Sequence, residues 1–276
     1  MFLTVDDPDD PRVADFRNLN DGAFRCRVEA AGPFGGGFFV AEGWLALEAA
    51  LVAGHELRSI LVAEPRVERL RELLGERETT VLVATPTLIE EVVGFDLHRG
   101  VVASVTRRRA AEAAAVAARA SRLVVVEGIN DGENLGSIFR NVAALGAGAV
   151  LLDPTTPDPL SRRVVRVSLG HVLRVPWARV ATPWRLADHR VLALTPSRDA
   201  LPLDEVHVDP EERIALLVGA EGPGLSDEAL AAADVRVSIP MAPGVDSLNV
   251  ATALAIALWH LRRTPHPHHP PNPPQL

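Results

Sequence analysis

Short apolar runs alternate along the chain with stretches whose apolar residues recur every three to four positions, in two blocks. In the first block, glycines 35–37 lead into an apolar run at 38–41, and a helix-period stretch follows at 44–52 until Gly54 stops it. Strands at 58–62, 80–83 and 101–105 then alternate with helices at 67–74 and 87–93, which predicts an α/β unit over 32–105, large enough to fold alone. Residues 1–31 mix charges with turn formers and read as an irregular or partly helical lead-in. Residues 106–122, TRRRAAEAAAVAARASR, are rich in alanine but carry only a thin apolar face, so an interdomain linker is expected there. A second block, 123–263, has strands at 123–128, 149–153, 171–175, 191–196, 214–219 and 235–240. Helical stretches at 134–145, 159–168, 183–188, 226–233 and 247–262 separate them. Strands this short and apolar, each followed by a helix, predict a parallel sheet covered on both faces. The end, 264–276, holds three histidines and six prolines and reads as a disordered or polyproline tail.

Composition narrows the chemistry. All 28 basic residues of the Lys+Arg count are arginines, tyrosine is absent, and Cys26 is the single cysteine of the 276 residues. That excludes a Schiff-base lysine, a lysine-bearing phosphate loop, a tyrosine acid, an intramolecular disulfide and a multi-cysteine zinc site. No metal is expected. The acidic N-terminus does not have the form of a secretory signal, and no run approaches about 18 apolar residues, so a soluble cytoplasmic protein is expected. The net charge of −8 hides an asymmetry: residues 106–190 hold 13 arginines against 7 acids, leaving the remainder at −14. A basic band in an acidic chain is the electrostatic footprint that phosphate backbones use, although a solvated surface band has the same composition.

Three glycine-bearing loops fall at the carboxyl ends of predicted strands, the edge on which open α/β sheets bind ligands. The first runs from Gly128 to Gly146: Asn134 is placed to cap the helix, Gly136 permits a close approach, and Arg140 lies four residues on, on nearly the same face. In the second, LVGAEGPGLS (217–226), the glycine order differs from a dinucleotide loop and Glu221 stands where a pyrophosphate would approach. A nucleotide-binding oxidoreductase is excluded on that ground. The third, IPMAPGVDSLNVA (239–251), is stiffened by Pro240 and Pro243; Asp246 or Ser247 is expected to cap the last helix, with Asn249 in its first turn.

The segments NLGSIFRNVAALGA, LVGAEGPGLS and IPMAPGVDSLNVATALAIAL, in this order and spacing, resemble the three motifs of the SpoU/TrmH family of RNA ribose 2′-O-methyltransferases, of the SPOUT class. The resemblance covers 123–263, and FVAEGWLALEAAL…LRSILV is similar to the L30e-like substrate-binding domain of many members. It implies an α/β fold with a parallel sheet and a deep trefoil knot in the C-terminal domain. It further implies a homodimer, ribosomal or transfer RNA as substrate, and S-adenosylmethionine held by backbone groups of the knot loops. By position, Gly219, Ile239 and Leu248 would line the cofactor, with Leu194 and Thr195 near its adenine. Arg140 matches the catalytic arginine, and Asn134, Glu221, Ser247 and Asn249 the other motif residues. Arg162, Arg163 and Arg166 are candidates for phosphate contacts. Asn141 stands where the family has threonine and Ala251 where it has serine, which implies altered packing or target choice.

In the family the arginine is proposed as the base, but guanidinium holds its proton strongly. Arg140 can instead stabilise the developing alkoxide or hold a phosphate, with Glu221 or water taking the proton. An antibiotic-resistance enzyme acting on 23S rRNA is a variant of this reading. A non-catalytic RNA-binding protein that keeps the fold is a rival from another class.

Overall fold

The computed structural model describes residues 1–29, 37–181, 186, 188–197, 199–209 and 211–262. The chain divides into two units, each with its own sheet. One takes Met1–Ala111, Asp131–Arg140 and Pro157–Pro176; the other takes Glu112–Asn130, Asn141–Thr156 and the chain from Trp177 onward.

The first unit contains β1 (Phe2–Thr4), α1 (Gly22–Glu29), β2 (Phe38–Glu42), α2 (Trp44–Val52), β3 (Leu57–Ala63), α3 (Val67–Leu74), β4 (Val81–Ala84), α4 (Pro86–Val93) and β5 (Val101–Thr106). Its strands form one sheet in the order β1-β4-β3-β5-β2, in which β1, β4 and β3 are parallel and β5 runs against both its neighbours. The lead-in is more ordered than its charge pattern implies. Phe2–Thr4 pair with Val81–Val83, and Val5, Val13, Phe16 and Leu19 are buried in the same core as Leu61, Leu82 and Val93. A three-residue edge strand soon followed by aspartates has too few positions to display a period, so its sequence did not reveal it.

The second unit contains α5 (Ala113–Arg119), β6 (Arg122–Val126), α6 (Gly132–Leu145, of which Asn141–Leu145 belong here), β7 (Ala149–Leu152), β8 (Trp177–Arg179), β9 (Arg190–Leu194), β10 (Leu201–Pro202), β11 (Ile214–Val218), α8 (Asp227–Ala232), β12 (Val235–Ser238) and α9 (Val250–His260). The remaining helix, α7 (Arg162–Val167), lies in the first unit. All seven strands are parallel, in the order β10-β12-β9-β11-β6-β7-β8. β6, β7 and β11 are buried at every position, the two-sided burial that their unbroken apolar runs predict. Within the stretch expected as a linker, α5 packs Val116 and Ala120 into this core, and Arg213 Nη2 donates to the carbonyls of Ala117, Ala118 and Ala120 at the helix end.

One predicted strand is absent. Residues 171–175 do not extend: Leu169 and Gly170 take left-handed conformations, and His171–Leu173 form a 3-10 turn closed by Leu173 N–H to Gly170 O and Arg174 N–H to His171 O, both 3.0 Å. The strand starts only after Pro176, at Trp177. The expected helix at 183–188 falls largely, and the tail at 264–276 wholly, outside the described residues. Among the described residues no helix is long and apolar enough to cross a membrane.

Candidate active site

β12, β9 and β11 are adjacent and parallel, so the chain leaves all three at one sheet edge. The loops that follow them, with the start of α9, enclose a cavity of about 450 Å³. Leu194, Thr195 and Pro196 line it from β9; Val218, Gly219, Ala220, Glu221, Gly222 and Gly224 from β11; Val237, Ile239 and Met241 from β12. Ser247, Leu248, Asn249, Val250 and Ala253 complete the wall. Eight of the residues singled out from sequence thus meet in one cavity: Leu194, Thr195, Gly219, Glu221, Ile239, Ser247, Leu248 and Asn249. The walls are mainly aliphatic, and the carboxylate and the amide sit at an exposed rim.

The shape of the β11 loop explains its glycine. Gly224 N–H donates to Ala220 O at 3.0 Å, and these two residues form an antiparallel bridge, so the loop curls back over its own start. A Cβ on Gly219 would overlap Gly224 and the nitrogen of Leu225. The far end of the loop is fixed by Glu127 at the end of β6, which accepts from Ser226 N (2.8 Å) and Oγ (2.7 Å), while Ser226 Oγ caps α8 by accepting from Ala229 N at 3.1 Å.

Asn249, not Asp246 or Ser247, caps the last helix. Its Oδ1 accepts from Ala251 N at 3.0 Å and Thr252 N at 3.2 Å, and its Nδ2 donates to Glu221 Oε1 at 2.9 Å. The amide is therefore fixed at both ends, and it holds the Glu221 carboxylate against the start of α9. Three residues of irregular backbone after Asp246 carry the helix start further along than the expected cap position.

α6 also starts earlier than expected. Asp131 Oδ1 accepts from Glu133 N at 3.0 Å, so Asn134 lies in the first turn and is not its cap. Gly136 meets Val167 so closely that a Cβ there would come to 2.7 Å from Val167 Cβ. Arg140 is exposed, and its guanidinium makes no hydrogen bond or ion pair among the described residues. Asn134 and Arg140 belong to the first unit and are not among the residues lining the cavity. Asn141, next in the chain, donates from Nδ2 to Ala251 O at 2.7 Å, so the two positions that depart from the family pattern bond to each other.

The three arginines proposed to meet RNA all have carboxylate partners. Arg162 Nη1 bonds Glu42 Oε2 at 2.6 Å, its Nη2 bonds Asn20 Oδ1 at 2.7 Å, and its guanidinium lies over the Phe95 ring; only 19% of its side chain is exposed. Arg163 pairs with Glu133 at 2.6 Å and Arg166 with Glu42 at 3.8 Å, both more exposed. Arg162 ties the first unit together, and Arg163 and Arg166 keep accessible faces.

Glu127, Asn141 and Asp153 were not singled out as site residues from sequence. Asp153 is buried at the end of β7, which alone raises its pKa; hydrogen bonds from the Thr155 and Thr156 hydroxyls and from the Thr156 and Gly128 backbone N–H groups outweigh this and hold it low. It thereby fixes the loop that leaves β6. The D-x-T-T turn signature and an acid ending an apolar strand were the available signals.

The sequence pattern of the SpoU rRNA methylase family matches residues 121–259, half of the chain. This chain belongs to that family. It is 44% identical over 269 residues to an uncharacterized tRNA/rRNA methyltransferase of Mycobacterium tuberculosis, across 95% of this chain and 92% of the relative. It is 30% identical over 229 residues to the 23S rRNA (guanosine-2′-O-)-methyltransferase RlmB of Ralstonia nicotianae, across 76% and 90% of the two chains. Among solved structures, the AdoMet-bound rRNA methyltransferase from Sinorhizobium meliloti superposes with a TM-score of 0.77 at 27% identity, covering 94% of this chain and 97% of that one. The SpoU methyltransferase AviRb from Streptomyces viridochromogenes gives 0.74 at 25% identity, covering 91% and 96%. The chain is thus a tRNA/rRNA methyltransferase of the SpoU family, and its α/β fold with a parallel C-terminal sheet is that of these neighbours.

Proposed function

We propose that this SpoU-family protein transfers the methyl group of S-adenosylmethionine to a ribose 2′-hydroxyl of ribosomal or transfer RNA in the cytoplasm. The observation that carries the reading is the convergence of three strand-end loops on one cavity of about 450 Å³, within the range of small-molecule sites. The lining fits the cofactor. Leu194, Val218, Ile239 and Leu248 offer apolar walls to a purine and a thioether chain, and backbone groups of the 195–196, 219–222 and 239–241 segments can take the polar edges. Bound there, S-adenosylmethionine supplies an electrophilic methyl group on a positive sulfur.

The chain must orient the hydroxyl and receive its proton. A guanidinium keeps its own proton at any working pH, so Arg140 serves as a fixed positive group that stabilises developing alkoxide charge or holds a neighbouring phosphate. Glu221, held by Asn249, is the carboxylate of the cavity and the proton acceptor we assign. Ser247 and Asn134 are given polar roles in orienting substrate and loop, and Arg163 and Arg166 roles as phosphate contacts. The first unit is assigned to RNA recognition, and pairing of two copies to the second, where Ile256 and Trp259 lie exposed on α9. Tritium transfer from S-adenosyl[methyl-³H]methionine to total RNA tests the reading. Wild-type protein labels RNA; Arg140→Ala loses the transfer while cofactor binding by calorimetry persists. Near-normal turnover in that variant overturns the role of Arg140.

A further inference from the structure

We propose that Arg140, His171 and Arg174 form a cationic cradle on the first unit that takes a phosphodiester group of the substrate RNA. This deepens the methyltransferase reading and rests on it for the identity of the ligand. Two elements of the unit carry the three residues: along α6, Gly132 faces Arg163 and Val164 and Gly136 faces Val167 and Ser168, a progression that carries Arg140 toward the residues after Ser168. α6 presses Gly136 against the end of α7, where an added Cβ would lie 3.2 Å from Ser168 N, and Arg140 follows one helical turn later on the same face. Beyond Ser168 the chain turns through Gly170 into the 3-10 turn, and Arg174 N–H closes on His171 O at 3.0 Å. Residues three apart in such a turn stand side by side, so His171 and Arg174 share one face.

Charge supplies the second observation. Arg140 and Arg174 are both exposed, and neither guanidinium has a carboxylate or other hydrogen-bonding partner among the described residues. The neighbouring Arg162, Arg163 and Arg166 are all paired, by contrast, with Glu42 or Glu133. The half-buried His171 records the same field: burial lowers its pKa first, then the charges of Arg174 and Arg140. The two uncompensated guanidinium forks present donors only, and the neutral His171 ring can add one N–H. A base edge needs donors and acceptors together, whereas the non-bridging oxygens of a phosphodiester accept alone and match forked donors.

The test uses the full chain and a fluorescein-labelled 20-nucleotide mixed-sequence RNA, titrated between 50 and 200 mM KCl. Arg174→Gln should weaken binding roughly 3- to 10-fold and reduce the slope of log Kd against log salt by about 0.7, one single-strand phosphate contact. Arg174→Lys should keep most of the slope, and Arg119→Gln, an exposed arginine of the second unit, should keep all of it. An unchanged slope in Arg174→Gln overturns the cradle. Inorganic phosphate at 10 mM should shift the His171 imidazole resonances in the wild type but not in Arg174→Gln, and compete only weakly with the RNA. Phosphate that displaces the RNA at equal concentration makes the ligand a free phosphate and overturns the RNA assignment. Calorimetry with S-adenosylmethionine separates the two levels: no cofactor binding by the wild-type chain overturns the methyltransferase reading, whatever the salt slopes show.

Discussion

Asn249 performs two tasks that substitution can separate. Its Oδ1 satisfies two N–H groups at the start of α9, and its Nδ2 holds Glu221. Removing both with Asn249→Ala loses an N-cap, about 1 kcal/mol, and so about 2–4 °C in Tm for a domain of this size. Asn249→Asp keeps an oxygen at the cap and adds a negative charge where the helix dipole favours it by about 0.3–1 kcal/mol. The same change puts a carboxylate oxygen where Nδ2 now lies, 2.9 Å from Glu221 Oε1. At that exposed rim, two like charges about 4 Å apart repel by about 1 kcal/mol or more, enough to turn the Glu221 side chain away. The Asp variant should therefore melt within about 1 °C of wild type, yet lose methyl transfer on the order of tenfold, the rate equivalent of about 1.4 kcal/mol. Thermal unfolding paired with single-turnover transfer reads both. An Asp variant that melts as low as the Ala variant refutes the cap; one that turns over normally refutes the role given to Glu221.

Gly219→Ala should push the β11 loop off Gly224 and cost at least tenfold in S-adenosylmethionine affinity by calorimetry, an expectation that unchanged affinity contradicts. Asn141→Ala should remove a 2.7 Å bond worth about 1 kcal/mol and lower kcat more than cofactor affinity, with Asn141→Gln restoring part of it; equal losses in both would point to general destabilisation. His171 and His55 have lowered pKa values, each chiefly through burial and then through nearby arginines. The folded chain therefore binds fewer protons than the unfolded chain as pH falls below about 6.5. Their contribution to stability is present above that value and lost on acidification toward their folded values. Urea unfolding at pH 7.5, 6.5 and 5.5 should show this loss, and His171→Gln should reduce it; an identical decline in the variant contradicts the assignment.

What was legible in the sequence depended on period and on local chemistry. The apolar strands at 123–126, 149–152 and 214–218 are buried on both faces, and their runs announced a covered parallel sheet before any pairing was known. The eight predicted cavity residues were legible because each lies at or beyond a strand end, in a segment marked by glycine or proline. Features set by distant partners were not. Glu127 becomes a loop anchor only because Ser226 comes to it across 99 residues, and Asn141 is a brace only because Ala251 lies opposite. The 171–175 segment is apolar enough for a strand, but the left-handed pair Leu169–Gly170 turns the chain first. The arginine surplus of the 106–190 band was visible in the composition; which guanidiniums remain unpaired depended on Glu42 and Glu133, from other parts of the chain.

The central claim is the position of the methyl group, and alkali reports it directly. A ribose bearing a 2′-O-methyl group cannot form the cyclic phosphate through which alkali cleaves RNA. RNA labelled by the wild-type chain from S-adenosyl[methyl-³H]methionine should therefore yield its tritium in alkali-resistant dinucleotides. Tritium recovered in mononucleotides after alkali would place the methyl group on a base and contradict the account.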